Sequence, residues 1–516
     1  MENNRLKYSA MNFASGIAGR ALTILLNFIV RTIFIHCLNE AYLSVNGLYG
    51  NILTVLSLAE LGFGSAMVYR MYAPMAEHDY KKTAALLNFY KHVYRIIGCV
   101  ILCLGLCIVP FLDVIIKDKP DVPGLTLYYL IFLVNTVISY WVSSYKSSLL
   151  SADQKDYIKT NVHNIAAIGQ SAIQIVLLLI FRNYLLYLFV QLCGTVLINL
   201  YVAFLTDRRY PEIASYKDIT LDNFEKEQIK KDAEALVISR LGHVVLNGTD
   251  NIIISAVVGV LWVGRLSNYT LICDSVTSVL CQITSAITGS LGNYFATEDR
   301  KSGYSIFKKI EFLNFWFYGF SFIALFVLLD PFVRLWAGEK FVLGLQIAFA
   351  IALNFFVAGY MNTLWVFRST LGLFKQGKYR PLIVALLNVV LSVVLGKLWG
   401  AFGILFATFL SRAAVNIWYD PIILHKYGFG VSTKPFFCEY AKRIVLLAAV
   451  SVFLLSIRKI IMPDGASIFE FIAMVFLTAI IPNVVFWIVY HKREEYIYFK
   501  NILKNRILAT IKRKLH

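Results

Sequence analysis

The sequence predicts an all-α polytopic membrane protein with about fourteen transmembrane helices. The first observation is composition: 58% of the 516 residues are hydrophobic and only 16% are charged, which is unlike a soluble globular domain. The second is that apolar stretches of about twenty residues recur along the whole chain, each long enough to cross a bilayer as a helix. The third is that lysine and arginine gather in alternate loops.

The predicted spans follow one another with mostly short connections. The first span is longer than the apolar core of a signal peptide, and no A-x-A-like cleavage site follows it, so we interpret it as a helix. The fourteen spans are 10–36, 44–69, 93–112, 125–146, 160–181, 184–206, 236–260, 266–292, 311–330, 344–366, 381–399, 401–424, 441–457 and 468–490.

The net charge of +18 would by itself suggest a nucleic-acid partner, but its distribution argues for membrane topology instead. With the N-terminus placed inside, the inner loops, the tails and the adjoining span ends carry 36 of the 49 lysines and arginines. The outer loops and their adjoining span ends carry nine, and four lie within spans. This bias predicts that both termini are cytoplasmic, and we expect no nucleic acid among the partners.

The longest break between spans is polar and lies on the predicted cytoplasmic side, where it separates two groups of six helices. The tail mixes basic with apolar residues, which predicts an interfacial helix on the anionic inner leaflet. The predicted parts are an N-lobe at 1–206, a linker at 207–235, a C-lobe at 236–425, a helix pair at 426–490 and a basic cytoplasmic tail at 491–516. We expect the two lobes to enclose a central cavity.

The two lobes show signs of an internal repeat. Sliding the chain by 220 residues places the seventh span on the first without a gap. Polar matches are the informative ones, because polar residues are scarce in these spans. They pair Arg20 with Arg240, Asn27 with Asn247, Tyr49 with Tyr269, Ser65 with Ser285 and Lys81 with Lys301. The repeat predicts a parallel two-lobe transporter, and coincidence between two amphipathic helices is the alternative.

The first span carries a polar stripe. Arg20 and Arg31 are eleven residues apart, which places them on one helix face roughly 16 Å apart along the axis, with Asn27 between them. Such a stripe must face protein or water rather than lipid. Guanidinium groups stay charged and bind phosphate oxygens bidentately, so the stripe predicts a site for an anion with phosphate. The alternative for Arg31, near the outer end, is that it snorkels to the headgroups.

Other spans carry further polar residues that could face the same cavity. The candidates for substrate binding are Arg20, Asn27, Arg31, Arg240, Asn247 and Arg412, and the candidates for a coupling ion or gating are Glu60, Asp250 and Asp274. Some of these residues could instead have purely structural roles. Arg240 is near the inner end of its span and could snorkel, Arg412 or Asp250 could be half of an ion pair, and Glu60 could be a helix-packing hydrogen-bond site.

The eight cysteines imply neither a disulfide framework nor a metal site. Cys99, Cys103 and Cys107 share a helix face, but no histidine or carboxylate accompanies them, so we interpret them as packing residues. The chain has no Walker A motif and no nucleophile–His–acid pattern. We therefore expect no cofactor, and we expect that the protein is not an enzyme.

Several segments resemble bacterial polysaccharide repeat-unit flippases, the oligosaccharide (Wzx-like) branch of the multidrug/oligosaccharidyl-lipid/polysaccharide exporter superfamily. The segments are "RTIFI", "YLSVNGLYGNILTVLSLAELGFGSAMVY", "TDNIIISAVVG" and "SNYTLI", and the resemblance runs from about residue 5 to about residue 430. It implies two six-helix lobes around a cationic cavity. In relatives, arginines on the first helix line that cavity, and Arg20 and Arg31 match them in general placement. Relatives often have Gly at Asn39 and Ser44, and an apolar residue at Arg265.

The resemblance also implies a function. It is the transfer of an undecaprenyl-diphosphate-linked oligosaccharide between leaflets of the bacterial cytoplasmic membrane by alternating access. Partners would be membrane lipids and, in the same pathway, a polymerase and glycosyltransferases, with the transporter itself a monomer. A multidrug or metabolite cation-coupled antiporter of the same fold is the alternative, although it would favour a carboxylate-dominated pocket. A membrane glycan polymerase is a weaker alternative, because it would need a substantial outer loop and all outer loops here are short.

Overall fold

The computed structural model describes residues 2–60, 63–216, 219–297, 300–373, 377, 379–463, 465, 467–502 and 504. Side chains are described for these residues except 2–10, 13, 58–59, 65, 232–247, 283–297 and 300–302. Within the described part the regular structure is entirely helical. The first ten helices are α1 (Glu2–Cys37), α2 (Glu40–Leu56), α3 (Phe63–Ala76), α4 (Tyr80–Ile108), α5 (Leu112–Ile115), α6 (Leu125–Trp141), α7 (Ser147–Ala152), α8 (Asp156–Phe181), α9 (Tyr184–Arg209) and α10 (Pro211–Ser215).

The remaining helices are α11 (Asn223–Val257), α12 (Val260–Thr297), α13 (Arg300–Ala337), α14 (Leu345–Thr370), α15 (Arg380–Ile423), α16 (Lys434–Ile461) and α17 (Ile468–Tyr490). The predicted all-α membrane fold is thus confirmed, and all fourteen predicted spans fall on helical segments. Among the described residues, nine helices are long and apolar enough to cross a membrane alone, and α6 with α7 adds a tenth if the bent pair is one span.

Two predicted spans are broken rather than continuous. The span 44–69 is interrupted after α2 by a 3₁₀ turn at Ser57–Glu60, and α3 resumes at Phe63. The span 125–146 ends at a bend of 44° between α6 and α7, where Ser143 adopts a left-handed conformation. An apolar run does not show where a helix breaks, because the break depends on which tertiary contacts replace the lost backbone hydrogen bonds.

Helix α15 contains two predicted spans joined by one residue. Gly400 has φ 62° and ψ −144°, a conformation that only glycine adopts readily. Three residues later, a Cβ on Gly403 would lie 2.0 Å from the carbonyl oxygen of Leu395. These glycines allow the chain to reverse between two spans without a loop.

The chain forms two compact units. The first comprises residues 1–267 and 379–404, and the second comprises residues 268–378 and 405–516. The lobe boundaries 1–206 and 236–425 stay a prediction.

In the first unit, α1 packs on α8, α8 on α9, α4 on α6, and α11 on α2. Loops that the charge pattern assigns to the same side meet at the same end. On the predicted inner side, the backbone N–H of Tyr157 donates to Asn12 Oδ1 at 2.7 Å. On the predicted outer side, the ammonium of Lys117 donates to the carbonyl of Val257 at 2.7 Å. The contacts agree with the predicted grouping of loops.

In the second unit, α13 is the central helix and packs against α14, α16 and α17. A buried ion pair fixes α16 to it: Arg443 donates to Glu311, which also accepts the hydroxyl of Tyr360. Both charged side chains are less than one-tenth exposed. The Arg443 guanidinium also lies over the ring of Phe315, 4.6 Å from its centroid. The predicted C-terminal helices are therefore attached by charge as well as by apolar packing.

Tyr49 and Tyr269, which the predicted repeat pairs, are both fully buried. The Tyr49 hydroxyl donates to the carbonyl of Leu125 at 3.0 Å, where α6 begins. The Tyr269 hydroxyl donates to Asp330 at 2.5 Å and accepts the backbone N–H of Leu343 at 2.9 Å, just before α14. Their partners differ, and the 220-residue offset stays a prediction.

Candidate functional site

The polar stripe of the first span lies on one unbroken helix. Helix α1 is continuous from Glu2 to Cys37, so Arg20, Asn27 and Arg31 share a face as the spacing predicts. Arg20 and Asn27 are exposed and Arg31 is half-buried. The opposite face is also exposed but apolar, with Leu25 58% and Ile29 41% exposed. Helix α1 therefore presents one face suited to lipid and another suited to water or a polar ligand.

Arg31 is held by a neutral partner. Its Nη1 donates to the hydroxyl of Ser267 at 2.8 Å, and that hydroxyl donates in turn to the carbonyl of Gly264 at 2.6 Å. The serine orients the guanidinium without neutralising it, because a hydroxyl carries no charge. Arg31 makes no second hydrogen bond to a residue that the structure describes.

Arg20 makes no hydrogen bond or ion pair with another residue that the structure describes. The neighbouring Gly19 lies against α8, where a Cβ would be 2.6 Å from the amide of Asn164. This close approach fixes the helix backbone beside Arg20 while the arginine side chain stays exposed. The first-span stripe thus carries two positive charges with no carboxylate partner in the described part of the chain.

Other membrane arginines behave differently. Arg265, Arg368 and Arg443 each form an ion pair with a carboxylate, on Glu40, Asp420 and Glu311 respectively. Such pairs offset the cost of a charge away from water. Arg20 and Arg31 differ from these three, because no described carboxylate forms an ion pair with either of them.

Glu60 lies at the break between α2 and α3 and is surrounded by tyrosines. Its Oε1 accepts the hydroxyl of Tyr94 at 2.6 Å, and its Oε2 accepts the hydroxyl of Tyr140 at 2.9 Å. The hydroxyl of Tyr90 donates to that of Tyr94 at 2.6 Å, which extends the chain of hydrogen bonds by one more group. A Cβ on Gly64 would lie 2.9 Å from the Tyr90 hydroxyl, so the site needs glycine there. Two tyrosine hydroxyls thus hold the Glu60 carboxylate in place at the break between the two helices.

We expect Glu60→Gln to lower transport about tenfold or more, because one carboxylate oxygen becomes an amide NH2 group that cannot accept a tyrosine hydroxyl, and the negative charge is lost. Tyr140→Phe is the matched control, since it removes one donor and keeps the carboxylate, so most of the transport should persist. The measurement is the transport rate in cells with matched protein levels. Normal transport by the glutamine variant would assign Glu60 to helix packing.

The other predicted site residues whose side chains are described lie on α11, α12 and α15. Arg412 is buried in the second unit, where its Nη1 donates to the carbonyl of Asn354 at 3.3 Å. Asp274 is exposed on α12, and Asp250 is half-buried on α11. The side chains of Arg240 and Asn247 lie outside the described residues, so these two candidates remain predictions.

The partners of the site residues are not evident from the sequence. Ser267, Tyr94 and Tyr140 are uncharged and follow no motif, so no signal in the sequence selects them from the other serines and tyrosines. Arg265 stands out in the sequence only as an unusual outer charge. The structure pairs it with Glu40 at 2.5 Å, so it adds no net charge at the predicted outer end.

Solved transporter structures share this fold. "Lipid II flippase MurJ, inward closed conformation" matches with a TM-score of 0.62 at 15% sequence identity, covering 94% of this chain and 99% of that one. An inward-facing multidrug resistance MATE family transporter of the MOP superfamily matches with a TM-score of 0.58 at 14% identity, covering 79% and 97%. An outward-facing one matches with a TM-score of 0.53 at 13% identity, covering 80% and 93%.

No protein-family model matches the sequence, and no curated protein matches it. At the identities of the matched structures, the likeness defines the fold. The chain is a multi-span membrane protein with the fold of MOP-superfamily transporters. The matched proteins are transporters rather than enzymes, in agreement with the expectation from sequence.

Proposed function

We propose that this protein is a flippase that moves an undecaprenyl-diphosphate-linked oligosaccharide repeat unit across the bacterial cytoplasmic membrane by alternating access, for surface polysaccharide synthesis. The observation that carries the proposal is the pair of arginines on α1 whose charge no described carboxylate balances. A diphosphate supplies the missing negative charge and accepts the bidentate hydrogen bonds that guanidinium groups make. The sequence segments shared with oligosaccharide flippases support the same cargo.

The spacing of the two arginines suits transfer rather than permanent binding. Arg20 and Arg31 lie roughly 16 Å apart along α1, so one diphosphate cannot engage both fully at once. In the proposed mechanism the diphosphate is bound first near Arg20 and then near Arg31, while the polyprenyl tail stays in the bilayer. Asn27 lies on the same face between them and offers a neutral amide along the path. Arg240, Asn247 and Arg412 remain candidates for the second lobe.

The remaining parts of the proposal follow the sequence predictions. Both termini are cytoplasmic, the protein acts as a monomer, and a polymerase and glycosyltransferases of the same pathway use or supply its cargo. Glu60, Asp250 and Asp274 are the candidates for coupling transport to an ion. The fold is shared with a protein named as a lipid II flippase, which supports a lipid-linked substrate.

The second candidate is a cation-coupled antiporter for drugs or metabolites. The fold shared with a multidrug resistance MATE family transporter supports this candidate. Against it, the described exposed charges on α1 are positive, and a pocket for cationic drugs needs negative ones. Carboxylates in predicted spans, namely Glu60, Asp250 and Asp274, are in its favour, but the Glu60 oxygens already accept two tyrosine hydroxyls.

Reconstituted vesicles separate the two functions. The purified protein is placed in vesicles with a polyprenyl-diphosphate disaccharide that carries a fluorophore quenched by an impermeant reductant. Flipping should raise the quenched fraction above that of protein-free vesicles, and the double variant Arg20→Ala, Arg31→Ala should not. The same vesicles receive ethidium under a proton or sodium gradient. Accumulation of the dye without flipping of the lipid would replace the proposal with the antiporter.

A further inference from the structure

The first two turns of α12 close against α1 and α2 at the predicted outer end. Arg265 Nε donates to Glu40 Oε1 at 2.5 Å, and the two side chains are 30% and 11% exposed. One residue earlier, Gly264 meets Ser44 so closely that a Cβ would lie 2.3 Å from the serine hydroxyl and 2.9 Å from its backbone nitrogen. We call the contact between residues 260–267 and residues 40–47 the seam. It contains both an ion pair and a close backbone contact.

The same seam continues one turn deeper and reaches the proposed site. Val263 is fully buried and faces Gly47, with its Cγ1 3.3 Å from where a Cβ on Gly47 would be. Ser267 then receives the hydrogen bond from Arg31 while donating to the carbonyl of Gly264. A single helical segment therefore makes the ion pair, the close packing and the hydrogen bond that orients Arg31.

We propose that Arg265 and Ser267 are positioning residues that couple release of the cargo to opening of this seam. The inference rests on the proposed function. With the seam closed, the Glu40–Arg265 pair holds α12 in place and Ser267 fixes one N–H group of Arg31, so the rest of the guanidinium is oriented for a diphosphate. When the seam opens, Arg31 loses this hydrogen bond and regains rotamer freedom. The movement that opens the exit thereby weakens the site that the cargo leaves.

This coupling meets a requirement of any transporter of a highly charged cargo. A site that holds a diphosphate strongly in every state cannot release it, since only a difference in affinity between states drives release. Arginine cannot lose its charge, so its affinity has to change through geometry. A neutral partner such as Ser267 suits this role, because it adjusts the orientation of the guanidinium without competing with the phosphate for its charge.

Accessibility of Val263→Cys tests the seam without any cargo. The eight native cysteines are replaced, and the full chain in lipid nanodiscs is treated with a membrane-impermeant maleimide. We expect Glu40→Gln or Arg265→Gln to raise the labelling rate about tenfold, because each substitution removes one charge-assisted hydrogen bond that keeps the seam closed. The charge swap Glu40→Arg, Arg265→Glu should restore protection. Asp113→Asn is the matched control, because it breaks an exposed outer ion pair, Lys119 to Asp113 at 2.8 Å.

Ser267 is tested by a separate comparison. Ser267→Ala should leave labelling of the Val263→Cys thiol unchanged but lower glycan export several-fold, and Ser267→Thr should restore export because it returns the hydroxyl. Equal labelling rates with and without Glu40→Gln would overturn the seam, and full export by Ser267→Ala would overturn its coupling to Arg31. The labelling rates do not depend on whether the cargo is a lipid-linked glycan. The labelling result therefore stands apart from the flipping assay that tests the proposed function.

Discussion

Replacing Arg20 and Arg31 together with alanine should lower export of surface glycan by at least about a hundredfold, since each lost charge-assisted contact costs about 1.5–3 kcal/mol. The protein itself should remain in the membrane, because neither arginine forms an ion pair with a carboxylate in the described part of the chain. The measurement is surface glycan per cell, in strains whose transporter level is matched by immunoblot.

Two further variants give this experiment its controls. Arg20→Lys should retain part of the activity, because the ammonium keeps the charge and loses the planar fork. Arg95→Ala removes another exposed arginine, on α4, and should export normally. Full export by the double alanine variant would contradict the phosphate role and leave snorkelling to the headgroups as the explanation of both arginines.

Arg443→Ala should destabilise the protein by about 3–5 kcal/mol, because it leaves the buried carboxylate of Glu311 without its cation. Tyr360 would remain as a donor to that carboxylate, which a hydroxyl cannot neutralise. The measurement is unfolding of the purified protein in detergent, by temperature or denaturant. Arg493→Ala is the matched control, since Arg493 pairs with Glu439 at 2.9 Å but is 44% exposed, and its loss should cost less than about 1 kcal/mol.

A double substitution separates the unpaired charge from simple loss of packing. Arg443→Met with Glu311→Gln removes both charges while filling most of the space, so it should recover much of the stability that Arg443→Ala loses. If the double variant is as unstable as the single one, packing of the long arginine side chain against Phe315 is the larger contribution.

The helices could be predicted from the sequence because their signal is local. A run of about twenty apolar residues is sufficient to indicate a span, whatever lies elsewhere in the chain. The break at Ser57–Glu60 is not predictable in this way, since a run of mostly apolar residues does not show where a helix ends. What stabilises the break includes Tyr94 and Tyr140, which are 34 and 80 residues beyond Glu60.

In the candidate site, too, the local features could be predicted from the sequence and the long-range contacts could not. The stripe of Arg20, Asn27 and Arg31 follows from helix geometry alone and could be predicted. The partners could not, because Ser267 lies 236 residues from Arg31 and Glu40 lies 225 residues from Arg265. A single sequence does not show which of many serines or carboxylates the fold brings to a given arginine. Which arginines are paired with a carboxylate therefore had to come from the structure.

The long separation between Arg31 and Ser267 has a consequence for synthesis of the protein. Helix α1 leaves the ribosome and enters the membrane while the 236 residues that lead to its serine partner are still being made. Arg20, which is near the centre of this helix, costs about 2.5–3.5 kcal/mol on insertion, and each large apolar residue contributes only about 0.3–0.6 kcal/mol in favour. Several of the large apolar residues of the helix are therefore needed to offset this one charge. A polar substitution at Leu25 or Ile29 would reduce how much protein reaches the membrane before it altered how fast each molecule works.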